Sequence, residues 1–176
     1  MNREVKVTIA LFMTAVFLMG YCIGWCMVAQ AAPDRQAMEQ YAREVALQYD
    51  LAPELVLAVI ETESSWNPSA DNGKCAGLMQ LNSNTSGWIA KELGIAGNRK
   101  DYRQNIQMGC YYLNYLRDAW YQKGATDEDT LYMMLLSYNR GMGGATKWMK
   151  NHSDYTQDAY CAKVIGIKWR LEGYVN

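Results

Sequence analysis

Histidine and phenylalanine are nearly missing from this chain of 176 residues. His152 is the one histidine, and Phe12 and Phe17 are the two phenylalanines. With a single histidine and no Cys-x-x-Cys pair, the chain offers no cluster of the kind that builds a zinc site. No metal and no cofactor are expected. An excess of one charge is also absent. The chain carries 17 Lys and Arg against 18 Asp and Glu, a net charge of −1. That balance removes any broad electrostatic attraction to DNA, RNA or anionic lipid and leaves room only for a local basic patch. Strand-like alternation of any length, internal repeats and low-complexity stretches are missing too, which argues against a sheet-built or solenoid fold.

What is present begins with apolar content. Half of the residues are hydrophobic, so wholesale disorder is excluded. Thirteen tyrosines and six tryptophans supply the aromatic surface, able to fill a core or to line a groove with a polar handle. The first residues read as a leader. Met1 to Lys6 is short and slightly basic, and Val7 to Ala29 carries no charge over about 23 residues. Ala29-Gln30-Ala31 fits the small-x-small pattern of a signal-peptide cleavage site. Residues 1–31 are therefore read as a signal peptide or an uncleaved N-terminal membrane anchor over residues 7–29. Residues 32–176 are read as one domain. Either reading exports that domain, to the periplasm or wall side of the envelope or beyond. Cys75, Cys110 and Cys161 follow the leader. Three thiols allow at most one internal pair, and all three pairings stay open.

The domain reads as all-α, mainly helical, with the Asn72–Asn84 region open to a minor β-hairpin. Met38, Tyr41, Ala42, Val45 and Tyr49 recur at helical spacing. Pro53 opens a second helix with Leu55, Val56, Val59 and Ile60 on its buried side, ending near Glu63 before Pro68. Asn67-Pro68 and Asp71-Asn72-Gly73 are turn sequences. A short helix is expected from Ser86 to Leu93, closed by Gly94. A longer one is expected from Asn105 to Trp120. Thr126 caps a fifth, which stops at Asn139-Arg140-Gly141 in a glycine corner with Gly143 and Gly144. A short segment follows around Trp148. The last helix is expected from near Asp154 to Arg170, with Tyr160, Val164, Ile167 and Leu171 inward.

Three places can carry chemistry. Glu63 ends an apolar helix, where aromatic and apolar neighbours raise a carboxyl pKa toward that of a general acid. The plain alternative is a solvated helix-end glutamate. Glu61, two residues earlier, faces elsewhere on the helix and is the less favoured acid, though the sequence pattern alone does not exclude it. Gly77-Leu78-Met79-Gln80 combines a glycine that allows close backbone approach with an amide suited to a sugar. It serves equally well as a packed loop. Tyr138-Asn139-Arg140-Gly141 places a phenol and an amide at a helix end, where they orient a ligand or simply terminate the helix.

Taken together, Glu63-Ser64-Ser65-Trp66-Asn67-Pro68, Gly77-Leu78-Met79-Gln80, the segment Asn105 to Leu113, and Ser137-Tyr138-Asn139-Arg140-Gly141 resemble the soluble lytic transglycosylase family with its lysozyme-like domain. The resemblance spans about Ala46 to Lys168, and it rests on four modest motifs in order. It implies a lysozyme-like fold and a peptidoglycan-cleaving enzyme without cofactor. The implied substrate is the glycan strand, cut between N-acetylmuramic acid and N-acetylglucosamine to leave a 1,6-anhydro end. By the same resemblance, Glu63 is the single acid and then base, and Ser64 orients it or the substrate. Gln80 contacts the N-acetyl sugar, Tyr138 and Asn139 line the groove, and Tyr160 is a further aromatic facing the cleft. The Asn105 segment is implied to be scaffold. Cys75 departs from the pattern, standing where a small residue is usual. If Asp71 instead holds a water opposite Glu63, the chain is a hydrolytic muramidase of goose-lysozyme type. A wall-binding protein without turnover is the third reading. Wall remodelling, opening the wall for a secretion or conjugation apparatus, and phage-related use all fit a small exported domain.

Overall fold

The computed structural model describes residues 34–152 and 154–174, so the expected leader lies outside the described residues. Six α-helices and one two-stranded hairpin account for the regular structure of these residues. In chain order they are α1 (Arg35–Gln48), α2 (Pro53–Ser64), β1 (Cys75–Ala76), β2 (Leu81–Asn82) and α3 (Ser83–Leu93). Then come α4 (Tyr102–Tyr121), α5 (Asp127–Met149), a 3₁₀ turn at Tyr155–Gln157, and α6 (Ala159–Leu171). Among the described residues, no helix is long and apolar enough to cross a membrane.

α2 is the centre of the core. Pro53 occupies its first turn, where the missing N–H is harmless. Leu55 to Ile60 are all buried, a run that leaves no polar face along the middle of the helix. A helix apolar all round must be covered by neighbours. α1 covers it with Met38, Ala42, Val45 and Ala46, and α6 packs against it with Val164 and Ile165. α4 and α5 form the other large packed pair. A smaller cluster of Leu81, Ile89, Ala90 and Met108 fixes the hairpin and α3 to α4.

Several boundaries differ from the sequence expectation. α3 starts at Ser83 rather than Ser86, because the Asn82 side chain caps it by accepting from Thr85 N at 2.9 Å. α4 starts at Tyr102, with Asp101 as its cap. The open hairpin position is filled by antiparallel pairing of Cys75 with Asn82 and of Ala76 with Leu81. The glycine corner reduces to Gly141, at φ 71° and ψ 159°, beyond which helix resumes to Met149. The last helix starts at Ala159, not near Asp154. Asp154 caps only the 3₁₀ turn, and Asp158 caps α6. Leu171, expected inward, is exposed in the last turn of α6.

Candidate active site

The helix that fills the core also carries the acid to its edge. Glu63 stands in the last turn of α2, one turn beyond buried Ile60, and is partly buried. Ser65 and Trp66 then take positive φ values of 50° and 67° and turn the chain away sharply. Tyr160, in the first turn of α6, donates its hydroxyl to Glu63 Oε1 at 2.7 Å. Burial pushes the Glu63 carboxyl upward from its ordinary value, while the Tyr160 hydrogen bond and the Lys163 ammonium pull it back only in part. The phenol of Tyr160 is itself pushed well up, by burial first and by Glu63 next, so it stays a donor.

Glu63 opens onto a groove of about 480 Å³. One wall is the hairpin and the start of α3, with Cys75, Gln80, Asn82 and Thr85. The other is the middle of α5 up to its break, with Tyr138, Asn139, Arg140 and Gly141. Tyr112 of α4 lies against Tyr138, ring centroids 5.5 Å apart, and also lines the groove.

The hairpin wall is held from behind by one buried amide. Asn105 Oδ1 accepts from Met79 N at 2.7 Å, and its Nδ2 donates to Ala76 O at 3.1 Å and Arg99 O at 2.9 Å. Gly77 (φ 83°) passes so close that a Cβ there would collide with Arg99 O and the Asn105 side chain. Gly109 on α4 likewise makes room for Met79. Tyr138 completes this support by donating its hydroxyl to Met79 O at 2.7 Å. Gln80, at φ 44°, is fixed by its own amide, which donates to Ala70 O at 3.1 Å and Gly77 O at 2.9 Å.

Of the residues singled out in the sequence, Glu63, Gln80, Tyr138 and Asn139 line this one groove. Tyr160 reaches it through Glu63. Ser64 does not line it, and its hydroxyl donates back to Ile60 O at 3.2 Å. Glu61 faces outward and pairs with Arg170 at 2.6 Å. Asp71 is also outside the groove, accepting from Gly73 N at 2.8 Å and pairing with Lys100 at 3.0 Å. Cys75, Cys110 and Cys161 are all free thiols, so none of the three open pairings is made. Cys110 and Cys161 are fully buried, and burial pushes the Cys161 thiol up to about 12. Among the described residues, no group of three or more His, Cys, Asp or Glu could hold a metal ion.

Tyr112, Asn82, Thr85 and Arg140 belong to the groove without having been singled out for it. Asn82-x-x-Thr85 is a readable helix-cap pattern. Asn105 is an amide beside the apolar positions Ile106 and Gly109, and its partners are 26 and 29 residues away. Local spacing cannot find such a residue.

The sequence model of the transglycosylase SLT domain matches residues 40–161. The chain belongs to this family. It is 31% identical over 140 residues to the membrane-bound lytic murein transglycosylase C of Yersinia enterocolitica, covering 73% of this chain and 39% of that one. With the protein of the same name from Glaesserella parasuis it shares 35% identity over 118 residues, 62% of this chain and 32% of the relative. The chain thus spans less than half the length of these curated relatives. Among solved structures, the SLT70 soluble lytic transglycosylase of Escherichia coli superposes with a TM-score of 0.62. The identity is 20%, over 77% of this chain and 24% of that one. An inactive mutant of the lytic transglycosylase Slt from Pseudomonas aeruginosa gives the same TM-score at 17% identity, over 81% of this chain and 25% of that one. These two likenesses establish that the transglycosylase SLT fold is shared.

Proposed function

We propose that the chain is a peptidoglycan lytic transglycosylase in which Glu63 acts first as acid and then as base. The observation that carries this reading is the desolvated Glu63 carboxyl at the edge of a polar, aromatic-lined groove. Burial favours the neutral form, so Glu63 is poised to protonate the glycosidic oxygen between N-acetylmuramic acid and N-acetylglucosamine. The positive charge that develops on the sugar is met from within the substrate by its N-acetyl group. Glu63, now a carboxylate, takes the proton of the same sugar's 6-hydroxyl, and that oxygen closes on C1. The product ends in a 1,6-anhydro ring.

The Tyr160 hydroxyl assists both halves. Its hydrogen bond to Oε1 orients the carboxyl and stabilises the anion left after the first proton transfer. Asn139 and the side-chain carbonyl oxygen of Gln80, whose NH₂ is taken by Ala70 O and Gly77 O, are assigned to the sugar substituents, and Tyr138 to the groove wall. Ser64 supports Glu63 only as its helical neighbour. Hydrolysis by a water held opposite Glu63 is disfavoured because Asp71, the acid considered for that task, is already engaged with Lys100 and Gly73 at the surface. The names of the curated relatives, murein transglycosylases, agree with the assigned substrate. Peptidoglycan lies outside the cytoplasmic membrane, and residues 1–31 read as the export signal or anchor that such a substrate requires.

Mass spectrometry of glycan ends released from purified peptidoglycan tests this. Anhydromuramoyl ends are expected, each lighter by one water than a hydrolysed end. Reducing ends would make the chain a muramidase, and no released glycan would make it a wall-binding protein.

A further inference from the structure

The two oxygens of Asp158 have different partners. Oδ1 accepts from the backbone N–H groups of Tyr160 and Cys161, at 3.0 and 3.1 Å, and so caps α6. Oδ2 accepts from the guanidinium of Arg140. The Asp158 side chain is 1% exposed, against 40% for Arg140. A cap needs only the first oxygen, and Ser, Thr or Asn would supply it without burying a charge. The second oxygen answers Arg140.

Both ends of this pair adjoin the groove. Arg140 lines it and directly precedes Gly141, where α5 breaks. Tyr138, two residues earlier, is tied to Met79 O. Two residues beyond Asp158, Tyr160 makes its hydrogen bond to Glu63. The pair therefore joins α5 at its Gly141 break to the turn of α6 that aims Tyr160.

We propose that Arg140 and Asp158 are positioning residues that hold the first turn of α6 in register, so that the Tyr160 hydroxyl meets Glu63 Oε1. The consequence for catalysis rests on the proposed role of Glu63, but the geometric claim does not. The groups that face Glu63 are Tyr160 and Lys163 from α6, Tyr138 from α5 and Cys75 from the hairpin. Arg140 and Asp158 act on it through Tyr160.

Asp158→Asn separates this from a direct charge effect. The substituted side chain keeps the capping oxygen but turns an NH₂ toward Arg140. Losing a negative charge near Glu63 would lower the pH at which Glu63 titrates. Losing the Tyr160 hydrogen bond would raise it. The two explanations differ in sign.

The test is NMR titration of the Glu63 carboxyl carbon in the full chain, with Glu63→Gln identifying the resonance. Asp158→Asn is expected to move the midpoint upward, in the direction given by Tyr160→Phe, and to add nothing in the Tyr160→Phe background. A folded Asp158→Asn protein with an unchanged or lower midpoint overturns the proposal. Arg140→Lys keeps the charge but loses the planar fork, and guards against a variant that fails to fold. It is expected to give a smaller rise, and no rise in it likewise overturns the proposal. Strand cleavage is measured separately, so failure of Glu63 as the acid leaves the titration result intact.

Discussion

Glu61 and Glu63 stand two residues apart in the last turn of one helix and meet different surroundings. Glu61 lies on the outer side of α2, where it meets Arg170 at 2.6 Å and Arg35 at 4.0 Å. Glu63 lies on the groove side, where its close contact is a phenol rather than a cation, and burial raises its pKa. A difference of about 200° around the helix axis separates them. The comparison teaches that two residues of one type differ in environment through helical phase and desolvation, and the proposed chemistry rests on that difference. A surface ion pair contributes little to stability, whereas a desolvated, phenol-bonded carboxyl is what the proposed acid-then-base role requires.

The largest test of that contrast is activity. Glu63→Gln keeps the shape of the side chain and removes the titrating group, so strand cleavage is expected to fall at least about a thousandfold. Glu61→Gln is expected to stay near the starting rate. A dead Glu61→Gln beside an active Glu63→Gln would reverse the two assignments.

The next effect concerns what holds the groove opposite Glu63. Asn105→Ala removes three hydrogen bonds from one buried amide and leaves their backbone partners unpaired. Urea unfolding is expected to report a loss of about 3 kcal/mol. A near-neutral result would mean that the hairpin wall is held by apolar packing instead.

Tyr138→Phe cuts the tie between α5 and Met79 O. Activity is expected to fall about tenfold, with a stability loss of about 1 kcal/mol in thermal unfolding. A large stability loss with normal turnover would assign Tyr138 to the core alone.

The smallest effects are those of charge on stability. Because the folded-state pKa of Glu63 is raised, folding is penalised once the pH exceeds the ordinary carboxyl range and Glu63 must ionise while buried. Glu63→Gln is therefore expected to melt at a higher temperature than the parent at pH 7, with the gain vanishing as the pH falls toward 4. Glu61→Gln is expected to lose no more than about 1 kcal/mol at pH 7, since its partner Arg170 is half exposed.

Much of this arrangement is legible in the sequence. The apolar run after Pro53 announces a buried helix, and helical phase puts Glu61 and Glu63 on different sides of it, but only their contacts tell the two apart. The four motifs that resemble the lytic transglycosylases lie within the stretch matched by the family model. The less legible parts depend on distance or on competing local signals. Strands of two residues carry no period. Asp154 and Asp158 are both good caps, and nothing local says which one begins α6. Asn105 is known by hairpin partners 26 and 29 residues away, and Arg140 by a carboxylate 18 residues away. The cysteines are unpaired, with Cys75 at the groove edge and Cys110 and Cys161 buried in the core on different helices.

The most direct measurement of the central claim is digestion of peptidoglycan in heavy-oxygen water, followed by mass analysis of the muramoyl ends. If Glu63 draws the proton from the sugar's own 6-hydroxyl, the ends are anhydro rings that carry no solvent oxygen. Ends that incorporate the heavy oxygen would show that water attacks C1, and would contradict a single glutamate closing the ring.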